Sequence, residues 1–483
     1  MGVLRVIFRP ETICFAWKPF VWQPSTRKLH FHRGVLHKQY STRNNASSWP
    51  IADFKYCNKF LCTSSTQHSP PETKERLEQR FLELLKQKAT RKAYDMVLNY
   101  ISTGKELEEQ SKRRFIKKLS SAGRADLGHA LYEVFRSEKN SLSTGDPTLL
   151  LSIWKTVDSQ KHRTLMEQIL KELEDWVQVV LKDKLTDSVD DKKLSVVVQV
   201  CVELANYYVQ HGNVIQSLAH VRCLEQVKEW VNIASVNKLL TIYSKAKSLE
   251  GLYATIEMKK RCNVVSDSDT NTLLAGAFIK EIHFVTGAVS METLPKPLPE
   301  VAFVGKSNVG KSSLLNLLVN NYSIAYTSKT PGKTQQLNYF IVNRSQEDGK
   351  FFMVDLPGYG YARVSKEMRD KWVDWIRDYL EQRKCLQVLF HLIDGTQGIC
   401  QEDRYFIEFL LTTNVLERYY AVLTKMDKCN KPKHVVVQNI KSELLTLGFP
   451  FEVTVIPTSF KQRWGSEDLW LALKPVILKN PVR

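Results

Sequence analysis

The chain has 483 residues, a formal net charge of +18 and a pI near 9.3, a length that suits two or three domains. Apolar residues at 43% and aromatics at 10% exclude a mostly disordered, collagen-like or coiled-coil chain. No uncharged apolar run reaches about 18 residues, so no membrane-spanning helix is expected. The positive excess points to a polyanionic partner, nucleic acid first.

Residues 1–66 carry ten Lys and Arg against only Glu11 and Asp53, are rich in Ser and Thr, and show no sustained period. That composition is expected of an organelle transit peptide and disordered leader. The stretch from Arg33 to Thr42 reads as a mitochondrial processing site with cleavage near Tyr40. The expected location is the mitochondrial matrix, with a plastid as the alternative; a basic RNA-binding tail is the bland reading. The nine cysteines form no C-x-x-C and no His cluster completes a zinc site, so free thiols in a reducing compartment are expected.

Residues 67–283 read as an all-α domain. Apolar residues recur at spacings of 3 and 4, and Pro147 is the only proline between 72 and 294. A 35-residue period aligns Leu84 with Leu119 and Trp154, and Tyr208 with Tyr243. The acidic stretch Asp187–Asp191 reads as a loop. The unit from Asn237 to Gly251, followed by Glu257–Arg261, resembles a pentatricopeptide repeat. That resemblance implies a solenoid of helix pairs that binds single-stranded RNA, with base choice at Asn237 and around Ser266/Asp267; Val202 in the preceding unit departs from the pattern. A protein-binding scaffold is the competing reading. The basic cluster Lys112, Arg113, Arg114, Lys117 and Lys118 favours RNA.

Residues 284–483 carry the chemistry. A short apolar strand from Pro299 runs into Gly305-Lys306-Ser307-Asn308-Val309-Gly310-Lys311-Ser312 and then a helix. This is a phosphate-binding loop in its strand–loop–helix setting. The glycines let the backbone wrap a phosphate, Lys311 supplies a point charge, and the Ser312 hydroxyl can ligate Mg²⁺. Asp355-Leu356-Pro357-Gly358 ends a second strand, where Asp355 can hold a Mg²⁺-bound water and the Gly358 amide can sense a γ-phosphate. Thr424-Lys425-Met426-Asp427 ends a third; Asp427 can accept from N1–H and N2–H₂ of guanine, while Lys425 lies across the base. Adenine offers neither donor and would leave a buried acceptor unmatched. Thr458-Ser459-Phe460 follows a final strand, and its backbone can reach guanine O6. Four such motifs in order specify a site for GTP or GDP.

These motifs, with Lys329 to Gln335 and the Gly-Tyr-Gly-Tyr361 that follows Pro357, resemble the EngB family of GTPases over about 284–483. The resemblance implies a Ras-like α/β domain with a mostly parallel sheet, and a role in large-subunit ribosome assembly on rRNA or a pre-ribosomal particle. It makes Thr334 the switch threonine that joins Ser312 on Mg²⁺, and has Gly332-Lys333-Thr334-Gln335-Gln336 wrap the nucleotide. Lys311, Thr334 and Gly358 are the expected catalytic groups. Two departures are Gly395-Thr396 where the family has Arg, and Phe460 where Ser is common. Tyr359 stands where Ras-type enzymes place a water-orienting Gln, so slow intrinsic hydrolysis is expected, with Asn308 a candidate K⁺ ligand. The alternative function is an RNA-binding protein for transcript processing or translation, carrying a nucleotide-sensing appendage.

Overall fold

The computed structural model describes residues 73–137, 146–158, 161–184, 189–319, 336–346, 349–359, 366–413 and 418–478. The expected leader 1–66 and Gly332–Gln335 lie outside these residues. Everything described falls in one unit, Pro71–Arg483.

Helices come first, in pairs: α1 (Lys74–Lys86) with α2 (Thr90–Ser102), α3 (Glu109–Ser121) with α4 (Ala125–Ser137), α5 (Pro147–Trp154) with α6 (Arg163–Lys184), α7 (Asp191–Gln210) with α8 (Val214–Cys223), and α9 (Ile233–Lys245) with α10 (Leu249–Arg261). A further helix, α11 (Ser268–Phe278), closes the series. Amphipathic spacing makes each one. In α3, Phe115, Ile116 and Leu119 are buried while Lys117 and Lys118 face solvent.

The first helices of the pairs begin after Thr73, Glu108, Asp146, Asp190 and Asn232, and α11 after Asp267. The first interval and the last are each 35 residues, and the long α6 and α7 lengthen the two intervals that contain them. Leu84, Leu119, Trp154, Tyr208 and Tyr243, which the period aligns, all lie in first helices. Turns within four of the five pairs close on a left-handed residue: Lys88, Gly123, Gly212 or Lys247. Asp190 caps α7 and Asp191 begins it, so the acidic stretch ends in helix rather than loop.

Ion pairs at nearly the same period tie the first pair of helices to the second, the second to the third, and the fourth to the fifth. Glu78 bonds Arg114 at 2.7 Å, Arg136 bonds Glu172 at 3.2 Å, Lys238 bonds Glu203 at 2.7 Å and Arg261 bonds Glu225 at 2.6 Å. Most of these partners are partly exposed, so each is worth about 0–1 kcal/mol. They set register, while the apolar core supplies cohesion. The basic cluster on α3 is partly consumed in the same way. Arg113 pairs with Glu109 and Asp146, Arg114 with Glu78, and Lys112 is buried with its ammonium 5.3 Å from the Phe135 ring centre. Only Lys117 and Lys118 of the five stand exposed without a pairing of this kind. The cluster is therefore no open cationic face.

A seven-stranded sheet follows among the described residues: β1 (Ile282–Ala288), β2 (Glu300–Gly305), β3 (Leu337–Val342), β4 (Phe351–Asp355), β5 (Leu386–Asp394), β6 (Tyr419–Thr424) and β7 (Val455–Pro457). Its order is β1-β3-β4-β2-β5-β6-β7, antiparallel at β1/β3 and β3/β4 and parallel elsewhere. The sheet thus starts two residues before the expected boundary at 284. Every residue of β2 is buried, as a parallel strand covered on both faces requires. Ala302 and Val304 face a core shared with α13 (Lys366–Gln382), α14 (Gln401–Leu411) and α15 (Lys433–Thr446). In that core Tyr379 is fully buried and Trp375 packs alongside, as their helical spacing suggests. Val301 and Phe303 face a second core with α12 (Lys311–Val319) and α16 (Ser466–Leu478).

That second core does not end at the sheet. It runs through α16 into α10 and α11 and on to α1. Phe278 stacks on Trp470 with ring centres 4.6 Å apart, and Tyr253 packs on Phe278 at 5.0 Å. Around them Lys259, only 4% exposed, meets Glu467 at 2.9 Å, and Lys260 meets Asp468 at 2.6 Å. Asn343, beyond β3, donates to the Phe278 carbonyl and accepts from the Lys280 amide, both at 2.8 Å. The helices and the sheet thus form one hydrophobic unit. Trp470→Ala should cost about 3–5 kcal/mol and lower the urea midpoints of the helical and nucleotide regions together. Separate probes in the two regions, such as Trp154 fluorescence and bound nucleotide, check this; a loss confined to one region contradicts the shared core.

Candidate nucleotide-binding site

The motif residues of β2, β4, β6 and β7 stand at the carboxyl ends of parallel strands, where helix N-termini and loops leave a crevice. The loop Lys306–Gly310 is tied on both sides. The Ser307 amide donates to the Tyr359 carbonyl at 3.1 Å, and the Thr424 hydroxyl donates to the Val309 carbonyl at 2.6 Å. Asn308 and Gly310 both adopt left-handed φ, +64° and +117°, turning the loop back toward the N-terminus of α12. Gly305 is required for another reason: a Cβ there would lie 2.7 Å from the Leu392 carbonyl of β5. Lys306 turns its side chain away, to Glu402 of α14 at 3.1 Å.

Lys311 and Ser312 open α12, whose free amides favour an anion. A Cβ on Gly358 would lie 3.0 Å from Ser307 Oγ and 3.2 Å from Lys311 Nζ, so the D-x-x-G turn sits directly against the lysine. Asp355 is beside the same lysine. Its Oδ1 is sealed from solvent and has no hydrogen-bond partner; burial raises its pKa and Lys311 opposes the rise. An orphaned carboxylate oxygen beside a lysine, a serine hydroxyl and a helix N-terminus is a donor set that fits a hydrated Mg²⁺ and phosphates.

The other end of the cleft is built from β6 and β7. A cavity of about 290 Å³ is lined by Gly310, Ser313, Leu314, Thr424, Lys425, Asp427, Lys428, Thr458, Phe460 and Lys461. Lys425 has a left-handed φ of +55° and reaches Asp394 at 2.6 Å, which pins its stem along the wall. Asp394 also accepts from the Thr396 amide and hydroxyl, at 3.0 and 2.6 Å. This gives the Gly395-Thr396 departure a local role. A side chain at 395 would collide with Met426 Sδ and the Thr424 carbonyl. Asp427 accepts from Ser459 Oγ at 2.7 Å, which fixes its carboxylate at the cleft. The last motif differs from expectation. The Thr458 and Ser459 amides are committed to the Leu423 and Trp464 carbonyls at 2.7 and 3.1 Å, so the approach to the base falls to Phe460 and Lys461. Gln336 lies at the foot of β3 beside Gly287, away from this cavity.

Tyr359 is buried, and its hydroxyl points into the core under the turn. It donates to Asp403 at 2.6 Å and therefore accepts from His391 Nε2, whose Nδ1 accepts from the Tyr419 hydroxyl at 2.7 Å. Asp403 also accepts from the Cys400 amide at 3.0 Å. Burial alone would raise the Asp403 pKa, but His391, Cys400 and Tyr359 bring it down to about 2. Burial and the Asp403 charge hold the Tyr359 hydroxyl protonated far above its ordinary range. Asp394 and this network are absent from the motif reading. The aspartate closing an apolar strand at Ile393-Asp394 was the available signal for the first. His391 and Asp403 carried none.

Gly358→Ala should reduce nucleotide turnover by about 10²-fold through displacement of Ser307 and Lys311, with an unchanged melting temperature; steady-state phosphate release checks it. Asp403→Asn should lower stability by about 2 kcal/mol at pH 7. Because the folded-state pKa lies below the unfolded value, that deficit should shrink as pH falls from about 4 toward 2, as measured by denaturant titration.

Comparisons with known proteins converge on this region. A family model described as "50S ribosome-binding GTPase" matches residues 300–425. The probable GTP-binding protein EngB of Thermotoga petrophila is 40% identical over 204 residues, 42% of this chain and 99% of that protein. That of Mesorhizobium japonicum is 40% identical over 200 residues, 39% of this chain and 91% of that protein. Among solved structures, a probable GTP-binding protein engB aligns over 37% of this chain and 98% of its own at 25% identity, with a TM-score of 0.29. Relatives covered almost end to end at this identity, over the residues that build the sheet and cleft, place the chain in the EngB family of GTPases.

Proposed function

We propose that this GTPase acts in assembly of the large ribosomal subunit in the mitochondrial matrix, with its helical region docking it on ribosomal RNA or on an assembly protein. The observation that carries the nucleotide chemistry is that the phosphate loop joins two features: Lys311 and the orphaned Asp355 oxygen, and a cavity lined by Gly310 and Asp427. The ribosomal role is supported by the description of the matching family; the organellar address rests on the Arg-rich, acid-poor segment 1–66. A plastid remains the alternative address.

Residue roles follow from chemistry. Asp427 accepts from the guanine N1–H and N2–H₂, and Lys425 lies along the base. The loop amides and Lys311 hold the phosphates. Ser312 and Thr334 would hold Mg²⁺, which when bound offsets charge that develops on the transferring phosphoryl group. The Gly358 amide donates toward the γ-phosphate. Tyr359 is locked into the core by Asp403 and His391 and does not orient an attacking water. Intrinsic hydrolysis is therefore slow, on the order of unassisted Ras or below, and a partner that orders the switch segments raises it. Asn308, exposed on the phosphate loop with a left-handed φ, is the K⁺ ligand in this reading.

Lys311→Ala should abolish GTP binding, read by fluorescent-nucleotide titration, while the helical region keeps its melting profile. Turnover should be faster in K⁺ than in Na⁺ buffer; identical rates remove Asn308 from that role. Crosslinked-RNA sequencing from matrix extract with a GTP analogue should recover large-subunit rRNA in pre-ribosomal fractions. Crosslinks confined to messenger or guide transcripts would overturn the ribosomal reading in favour of transcript processing.

A further inference from the structure

We propose that the helical region is a working part of the guanine site, with Asn271 of α11 as a positioning residue for the base-binding loop. The inference rests on the guanine-nucleotide reading of the cleft. The loop from Thr458 to Gly465 joins β7 to α16 and is held in an unusual shape. Arg463 and Gly465 have left-handed φ of +53° and +91°, and a Cβ on Gly465 would lie 2.4 Å from the Pro457 carbonyl. Ser459 closes the loop by pairing with Trp464 in both directions, at 3.1 and 3.2 Å. Its hydroxyl accepts from the Gln462 amide at 3.1 Å and donates to Asp427 Oδ1 at 2.7 Å. The shape of this loop therefore fixes the carboxylate that reads guanine.

The far end of the loop is gripped from outside the nucleotide region. Asn271 Nδ2 donates to the Arg463 carbonyl, and Asn271 Oδ1 accepts from Ser466 Oγ at 2.5 Å. One side chain thus holds both a left-handed residue and the first residue of α16. A non-glycine residue stays in that conformation only where its surroundings over-determine it. The position of Asn271 is itself set by the repeats. Asp267 caps the α11 N-terminus by accepting from the Thr270 amide at 2.7 Å, and the Thr270 hydroxyl donates to Asn237 of α9 at 2.7 Å. Asn237 in turn donates to Asp267 at 3.3 Å, and Ser266 donates to Glu467 of α16. The two positions that the repeat pattern marks for base choice are thus engaged with α11 and α16. A continuous path runs from Asn237 through Thr270, Asn271 and Arg463 to Ser459 and Asp427. The phosphate end is braced separately, by Thr424 and Tyr359.

Loss of the Asn271 donor should therefore loosen base reading and spare phosphate binding. Inosine diphosphate separates the two, because hypoxanthine lacks the 2-amino group that Asp427 also accepts from. In the full-length chain, Asn271→Ala should weaken GDP binding about tenfold and IDP binding about twofold, so the preference for GDP falls about fivefold. Asn271→Asp, which keeps size and the Ser466 acceptor but loses the donor, should behave alike. Thr272→Ala, exposed and bonded only within its own helix, should match wild type. Equal losses for GDP and IDP would mean general loosening and overturn the proposal, as would unchanged binding in a folded Asn271 variant. A wild-type chain that fails to bind GDP would instead overturn the nucleotide-site reading beneath it.

Discussion

The stack of Phe278 on Trp470 is the contact on which the rest of the arrangement depends. A mostly parallel sheet must be covered on both faces. One face is covered by α13, α14 and α15, and the other by α12 and α16. Helix α16 is apolar on more than the side that meets the sheet: Trp470, Leu473 and Ile477 are all buried. The helical region buries that surplus through α10 and α11, and Lys259 enters the joint only because Glu467 accompanies it. An unpaired ammonium at that depth would be far costlier than the pair is favourable. The helical region is therefore a structural layer of the nucleotide domain rather than an attachment on a tether.

Two closed networks of buried polar groups brace the sheet. Glu300, with no exposed surface, accepts from Arg383 at 2.7 Å and from Tyr379 at 3.0 Å at the end of β2 remote from the phosphate loop. Tyr359, His391, Asp403 and Tyr419 complete one another under the D-x-x-G turn. Such closed networks rigidify what they hold. The Asp355 Oδ1 atom is one of several buried polar atoms without a partner among the described residues, and it lies where a cation's water shell would supply one. The rigid groups surround the place left to the ligand.

The second of these networks also explains how the turn at Gly358 is held without a water-orienting side chain. The residue after the glycine is given over to anchoring: its hydroxyl is bound in the core and its carbonyl receives the Ser307 amide. The phosphate loop and the D-x-x-G turn are thus fixed relative to each other. The helical region joins this frame through the core it shares with α16. If α11 positions the guanine loop as proposed, linkage requires that a ligand which shifts α11 also shifts nucleotide affinity.

The sequence by itself determined the chemistry. Phosphate, Mg²⁺ and guanine each demand particular residue types at short, fixed spacings, so Gly310, Lys311, Asp355 and Asp427 were legible one motif at a time. Helix pairs were legible from the same local periodicity, down to the 35-residue interval at both ends of the series. Only the tertiary structure decided what those elements touch. The basic cluster on α3 read as an open face, yet Arg113 and Arg114 turn to acids that are distant in sequence or on another helix. Gly305 read as a place where the backbone wraps a phosphate, and packing adds a second demand, since a Cβ there would meet the Leu392 carbonyl. Asn237 read as a base selector, yet it bonds Thr270 and Asp267. His391, Asp403 and Asn271 gave no signal, because their partners lie 28 to 195 residues away. Spacing encodes what a loop or helix presents; packing of distant segments sets which presented group meets a ligand and which meets the protein itself.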